Sequence, residues 1–160
     1  MPQSISVILV GLGNVGRKVM RLLSEKEEWL RRRYDLEFRV VGAADSSGAA
    51  IAVATGERPV FGSAPRAPAL DLKAILALKE AGQGIAALPA FGRAGLSAQE
   101  MIEKTGAGVL IEMSPTNLRD GQPGLGCVTA AIEKGMHVVL ANKGPLVLDY
   151  PRLAEAARKK

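Results

Sequence analysis

The 160-residue chain has few of the residues on which several classes of protein depend. Its single cysteine, Cys127, excludes an internal disulfide framework and lies in a helical pattern, where a small buried thiol is the ordinary role. Its one histidine, His137, has no histidine or cysteine at metal-ligand spacing, so we expect no metal site in this chain. Aromatic residues make up 4% of the chain, which is too little for a nucleic-acid stacking platform.

Signals for a membrane or for export are also missing from the sequence. No apolar run approaches the ~20 residues that a spanning helix needs, and the N-terminus has neither a basic region nor a small-residue cleavage site. The net charge of +5 comes from dispersed basic residues, which favours anionic small molecules over nucleic acid as ligands. The sequence therefore predicts a cytoplasmic chain with no membrane or nucleic-acid partner.

The most informative pattern in the sequence is the first predicted strand and the glycine-rich turn that follows it. An apolar run at residues 5–10 ends in G-x-G-x-x-G and passes into a helical pattern, which is typical of a dinucleotide-binding turn. Gly11 permits the tight turn, Gly13 lets the backbone approach the phosphates, and Gly16 lets helix and strand pack closely. A structural turn without a ligand is the alternative. The predicted cofactor-binding residues here, at a helix N-terminus that suits a pyrophosphate, are Gly11, Leu12, Gly13, Asn14, Val15 and Gly16.

Strand and helix patterns alternate along the rest of the chain. Strands are predicted at 37–44, 108–113 and 137–141, and residues 49–70 have the pattern of an irregular connection. Helix starts are predicted at Asp71, at the S-x-x-E capping box of Ser97, at Leu125 and at Asp149. The inner faces predicted for the first and last helices consist of Val15, Val19, Leu22, Leu23 and Leu30, and of Leu153, Ala156 and Ala157. This alternation predicts one α/β domain over residues 1–160, a Rossmann-type doubly wound parallel sheet in three α/β/α layers.

Polar residues follow each predicted strand. In an open parallel sheet the ligand lies beyond the carboxyl ends of the strands, so four loops should converge on one edge. The carboxylate of Asp45 would accept from the adenosine ribose hydroxyls and repel a 2′-phosphate, which favours NAD over NADP. A turn-forming aspartate is the alternative. Beyond the glycine turn, the predicted cofactor contacts are Asp45, Ser46, Ser114, Pro115, Thr116, Asn117 and Asn142.

Four segments together resemble the nucleotide-binding half of homoserine dehydrogenase: residues 10–16, 42–48, 112–123 (EMSPTNLRDGQP) and 135–150 (GMHVVLANKGPLVLDY). The resemblance covers nearly the whole chain and is weakest over 49–106. The ANKGP motif is far more specific than the glycine turn. The resemblance implies the NAD(P)-dependent interconversion of L-aspartate 4-semialdehyde and L-homoserine, in the route to threonine, methionine and isoleucine.

The same resemblance implies roles for single residues. It places the loop at 114–117 along the nicotinamide end of the cofactor, and it makes Lys143 a catalytic lysine at the junction of cofactor and substrate. An ammonium at that point can stabilise developing alkoxide charge and take part in proton delivery. A solvated loop lysine is the alternative.

The departure from the family is one of length. Homoserine dehydrogenases continue into a last strand of the sheet, a dimerisation segment and a substrate domain, none of which is found here. We therefore expect an isolated domain, either a piece of the enzyme or a native short protein. Such a domain would bind NAD(P) without turnover, meet the small-molecule substrate only with the missing domain, and could form a homodimer through an unpaired sheet edge. A nucleotide-sensing module remains an alternative. So does a domain of another dehydrogenase, such as aspartate-semialdehyde dehydrogenase or dihydrodipicolinate reductase, although the ANKGP motif argues against it.

Overall fold

A six-stranded sheet lies between two layers of helices in the computed structural model, which describes residues 2–52 and 68–160. The strands are β1 (Gln3–Val10), β2 (Leu36–Asp45), β3 (Gly48–Ile51), β4 (Gly92–Ala94), β5 (Val109–Glu112) and β6 (His137–Leu140). The helices are α1 (Asn14–Tyr34), α2 (Leu72–Glu80), α3 (Ala98–Lys104), α4 (Gly124–Glu133) and α5 (Gly144–Arg158), with a 3₁₀ turn at Ile85–Ala87.

The order of strands across the sheet is β4-β3-β2-β1-β5-β6, and β1, β2, β5 and β6 are parallel. The register pairs Val10 of β1 with Ala44 of β2 and with Glu112 of β5, and it pairs Glu112 with Leu140 of β6. The carboxyl ends of these four strands are therefore aligned, and the loops that follow them leave from one edge of the sheet. This arrangement confirms the predicted Rossmann-type fold.

The central strand, β1, contributes side chains to two separate cores, because successive residues of a strand point to opposite faces. Val7 and Leu9 pack with Met20 of α1 on one face. Ile8 and Val10 pack on the other face with residues of α3 and α4. Helices thus cover both faces of the sheet, as the doubly wound fold requires.

Two antiparallel strands extend the sheet beyond β2, where the sequence predicted only an irregular connection. β3 pairs antiparallel with β2, and β4 pairs antiparallel with β3. The prediction for 49–51 was wrong because β3 is built around Ala49 and Ala50, small residues with little strand preference that are fully buried against their neighbours. Within the remainder of that predicted connection, residues 53–67 lie outside the described residues.

The inner face of α1 is also narrower than predicted. Val15 and Leu22 are 49% and 54% exposed, whereas Gly16 and Met20 are buried. The helix backs against the first turn at Gly16, so the residue one position earlier, about 100° around the helix, faces away from the sheet. Val15 therefore does not belong to the core.

The last helix, α5, starts earlier than predicted and is broken in the middle. It begins at Gly144, and its backbone leaves helical geometry at Asp149 (φ −149°, ψ 32°). The Asp149 carboxylate pairs with Arg152 three residues later at 2.6 Å, at the start of the second helical segment. In that segment Leu153 is buried as predicted, but Ala157 is exposed, so its assignment to the inner face was wrong.

Candidate functional site

The glycine turn after β1 is shaped by two glycines that the fold itself requires. Gly11 has a φ of +89°, and a Cβ there would overlap the backbone of Met113 and Ser114. A Cβ on Gly16 would overlap the carbonyl oxygen of Gly11. Gly13 differs from both, because its Cβ would meet no atom within 4 Å. Nothing in the described part of the chain explains a glycine at that position, whereas the close approach of a ligand does.

The N-terminus of α1 faces this open position. Gly13 is its N-cap residue, and no side chain caps the helix end in the described residues. Arg17 lies in the first turn, and its Nη2 donates to Oδ1 of Asn14 at 2.7 Å. A cation at this end opposes the helix dipole, a cost that a bound anion would offset. Uncapped N–H groups, a nearby guanidinium and an open glycine together fit a pyrophosphate group. Arg17 was not among the residues predicted from the sequence, although a basic residue in the first turn of a helix, where acidic ones are favoured, was a signal for it.

Asp45, at the carboxyl end of β2, is already held by protein donors. Its Oδ1 accepts from the N–H and hydroxyl of Ser47 at 2.8 and 2.6 Å. Its Oδ2 accepts from Lys79 Nζ at 2.6 Å and from the N–H of Ile85 at 3.0 Å. These four bonds match the acceptor capacity of a carboxylate and support the turn-forming alternative, so any ribose hydroxyl would have to replace one of them. The Asp45 side chain is 9% exposed, and Ser47 is its exposed partner, so the Ser47 bonds on Oδ1 are the ones that a ligand would have to replace.

The charge of Asp45 also links this turn to pH. Partial burial raises the pKa of its carboxyl, but the hydrogen bonds from Lys79, Ser47 and Ile85 outweigh burial and hold the pKa below its ordinary value. A carboxyl with a lowered pKa stabilises the fold above its ordinary pKa, and that contribution is lost as the pH falls through the lowered one. The ion pair with Lys79 could not be found from sequence, because the partners lie 34 residues apart.

The loops after β5 and β6 are joined by buried polar side chains. The N–H of Ser114 donates to Glu112 Oε1 at 2.9 Å, and Asn142 Nδ2 donates to the Ser114 hydroxyl at 3.3 Å. The N–H of Gly144 donates to Asn142 Oδ1 at 2.9 Å. Between them stands Lys143, the exposed N-cap residue of α5. The backbone on both sides of the lysine is therefore fixed, while its side chain faces solvent.

Of the remaining predicted residues, one forms hydrogen bonds within its own loop, one is buried and three are exposed. Asn117 braces its own loop, since its Nδ2 donates to Asp120 Oδ1 at 2.7 Å and its Oδ1 accepts the N–H of Arg119 at 2.9 Å. The loop lies close to the next one, because a Cβ on Gly144 would sit 3.3 Å from the Asn117 carbonyl oxygen. Leu12 is buried, and the exposed residues are Ser46, Pro115 and Thr116. The structure thus brings together the loops after β1, β5 and β6, while the Asp45 turn makes its contacts with α2 and the 3₁₀ turn.

A reactive cysteine, a metal site and a membrane-spanning helix have little support in the described residues. Burial, and secondly the nearby Glu112 carboxylate, raise the pKa of the Cys127 thiol to about 12, which suits an inert packing thiol. In residues 2–52 and 68–160 no three histidine, cysteine, aspartate or glutamate side chains are grouped so that they could hold a metal ion. Over the same residues, no helix combines the length and apolar character needed to cross a bilayer.

Comparison with known proteins gives consistent matches. The family described as "Homoserine dehydrogenase, NAD binding domain" matches residues 11–160. Homoserine dehydrogenase of Methanocaldococcus jannaschii is 35% identical over 155 residues, which are 97% of this chain and 41% of that protein. The NAD(+)-dependent homoserine dehydrogenase of Pseudomonas canavaninivorans is 29% identical over 150 residues, which are 94% and 39% of the two chains. Among solved structures, a hyperthermophilic archaeal homoserine dehydrogenase in complex with NADPH has a TM-score of 0.74 at 22% identity, covering 98% of this chain and 41% of that one. The chain spans about two fifths of the length of these relatives.

Proposed function

Since this chain belongs to the family of homoserine dehydrogenase NAD-binding domains, we propose that it serves the reversible reduction of L-aspartate 4-semialdehyde to L-homoserine when a substrate domain is joined to it. Its cofactor is NAD(P), the group that the family domain binds. The observation that carries the proposal is the glycine turn: Gly13 leaves open space beside an uncapped helix N-terminus, and Gly11 backs directly onto the loop of Ser114.

The proposed chemistry divides between cofactor and protein. A bound dinucleotide would supply a hydride to the aldehyde carbon, with its nicotinamide C4–H bond broken and the ring oxidised, and the protein would have to supply a proton to the aldehyde oxygen. We propose that the Lys143 ammonium faces this oxygen, stabilises its negative charge and delivers the proton. The N–H groups at the start of α1 hold the pyrophosphate, and the loops at 114–117 and 142–144 orient the nicotinamide end.

The 160-residue chain by itself is expected to bind NAD(P) and to show no turnover of homoserine. It carries the dinucleotide turn and the loops beside it, and it spans only 41% of the M. jannaschii enzyme. Titration calorimetry with NAD⁺ and NADP⁺ measures binding, and the absorbance of NAD(P)H during incubation with homoserine measures turnover. Homoserine oxidation by the pure chain would contradict the expectation, and absence of any dinucleotide binding would overturn the proposed function.

Asp45 is proposed to favour NAD through the adenosine ribose. Asp45→Ala should weaken NAD⁺ binding by the loss of a charge-assisted hydrogen bond, worth about 1.5 to 3 kcal/mol, and should weaken NADP⁺ binding less. Calorimetric Kd values for the two cofactors give the comparison. The matched control is Lys79→Met, which breaks the same ion pair but keeps the carboxylate, so it should leave the preference unchanged. Equal losses for both cofactors with Asp45→Ala would show that Asp45 only forms the turn.

The predicted homodimer also stays a proposal, for the outer edge of β6. In the described sheet β6 pairs on one side only, with β5, and its Val139 is 53% exposed. The first turns of α5 follow directly and expose Leu146, Val147 and Leu148. An unpaired strand edge beside apolar side chains favours association with a second copy.

The cytoplasmic location predicted from the sequence likewise stays a prediction.

A further inference from the structure

Glu112, the last residue of β5, carries a carboxylate that has no ion-pair partner among the described residues. The residue is 0% exposed, and its Oε1 accepts the N–H of Ser114. Its Oε2 is the one buried side-chain nitrogen or oxygen atom in the described residues that has no hydrogen-bond partner. Burying a carboxylate in this way is costly, so its presence calls for a role that an apolar residue could not fill.

Glu112 is bonded to both loops at the proposed nicotinamide end. Its backbone carbonyl accepts the N–H groups of Ala141 and Asn142 at 2.9 and 3.4 Å. Its side chain holds the backbone of Ser114, whose hydroxyl in turn accepts from Asn142 Nδ2. One residue thus connects the loop after β5 to the loop after β6 through its main chain and its side chain together.

The space around this carboxylate comes from a glycine at the start of α4. A Cβ on Gly124 would lie 2.5 Å from Asn142 Nδ2 and 3.1 Å from Glu112 Oε2. Both groups therefore converge on the N-terminus of α4, which has no side-chain cap in the described part of the chain. The positive end of the helix dipole reduces the cost of a buried negative charge there. The arrangement is built from three elements, β5, β6 and α4.

We infer that Glu112 is a positioning residue that fixes Ser114 and the turn at residues 142–144, and through that turn Lys143, at the nicotinamide end of the cofactor. This inference rests on the proposed function. The Lys143 side chain is long, flexible and exposed, so its placement depends on the backbone that carries it. That backbone is tied to Glu112 through Asn142, and a shift of about 1 Å in such a turn is enough to disturb catalysis or binding.

The test compares two ligands on the 160-residue chain. ADP-ribose shares the adenosine and pyrophosphate with NAD⁺ but has no nicotinamide. Glu112→Met removes the acceptor while keeping the side-chain volume, and replacement of a buried charge by an apolar group of similar size is often tolerated by the fold. Glu112→Met should weaken NAD⁺ by about tenfold, because the Ser114 loop loses the hydrogen bond that orders it and the ordering must then occur on binding, and it should leave the Kd of ADP-ribose within about twofold. Glu112→Gln keeps an oxygen for the Ser114 N–H and should restore most of the NAD⁺ affinity.

A second variant keeps the test decisive if Glu112→Met does not fold. Gly124→Ala keeps the glutamate at position 112 but forces its carboxylate and the Asn142 amide to shift, and it should also weaken NAD⁺ and spare ADP-ribose. Glu100→Ala is the control, since it removes a carboxylate from the capping box of α3 and should alter neither Kd. Equal effects on both ligands, or no effect on NAD⁺, would overturn the role of Glu112. Failure of the unmodified chain to bind either ligand would instead overturn the proposed function.

Discussion

A Gly13→Ala chain is expected to fold like the unmodified chain and to lose most of its affinity for NAD(P). The added methyl group meets no protein atom within 4 Å, and the extended backbone at this residue (φ −77°, ψ −150°) is open to alanine. The same methyl occupies the space through which the backbone would approach the pyrophosphate. Two charge-assisted hydrogen bonds lost at about 1.5 kcal/mol each would lower affinity about 100-fold. Calorimetry measures the Kd, and thermal unfolding by circular dichroism measures stability.

Gly16→Ala is the matched control, three residues away in the same turn. Its methyl group would overlap the carbonyl oxygen of Gly11, so the helix and strand must separate, at a cost of about 1 to 3 kcal/mol. We expect a clear fall in melting temperature for Gly16→Ala and none for Gly13→Ala. Normal NAD(P) binding by a folded Gly13→Ala chain would show that the pyrophosphate does not lie over this turn.

Lys143→Ala should have the largest effect on the reaction itself. The measurement needs an active enzyme, such as one in which this chain replaces the matching part of M. jannaschii homoserine dehydrogenase. A positioned proton donor or charge stabiliser typically contributes 10²- to 10⁴-fold, so kcat should fall by about that factor. The Kd for NAD(P) should change little, because the lysine follows β6, which is two strands from β1 and from the glycine turn that we propose holds the pyrophosphate.

Two further variants identify what the lysine contributes. Lys143→Arg keeps the positive charge but holds its proton too tightly to donate it, so kcat should recover only the part that charge stabilisation supplies. Lys134→Ala removes a lysine that donates to the Glu103 carbonyl, and it should leave kcat unchanged. Near-normal kcat for Lys143→Ala, or a loss of cofactor binding without any separate change in kcat, would return Lys143 to the solvated role.

Local signals in the sequence predicted those parts of the fold that depend on neighbouring residues. Asp71 caps α2 by accepting the N–H of Lys73 at 2.8 Å, and Ser97 and Glu100 form the predicted capping box. Both motifs consist of residues two or three positions apart, so their geometry follows from the sequence alone. The central strands were found for the same reason, because a buried strand is a short apolar run.

The parts that sequence could not predict depend on contacts between distant residues. The Asp45–Lys79 pair joins two elements 34 residues apart, and it occupies part of the carboxylate that the position of Asp45 had suggested for a ribose. Glu112 stands out in the sequence only as a polar residue within the predicted strand at 108–113, and its complete burial appears once the loop after β6 and α4 are packed around it. Sequence patterns indicate candidate site residues, but the hydrogen-bond and ion-pair partners of those residues are fixed by the tertiary fold.

The position of β1 at the centre of the sheet also sets the order in which the site can assemble. β1 and β2 are joined by one helix. On its other side β1 pairs with β5, and the bond from the Gly108 N–H to the Ser6 hydroxyl beside this pairing joins residues 102 positions apart. Pairings between distant segments close large loops and form slowly. We therefore expect the β1–α1–β2 unit to form before Met113 and Ser114 arrive to back the glycine turn. Because the proposed site also includes the loops after β5 and β6, we expect NAD(P) to stabilise the domain only once those strands have paired, which requires most of the chain.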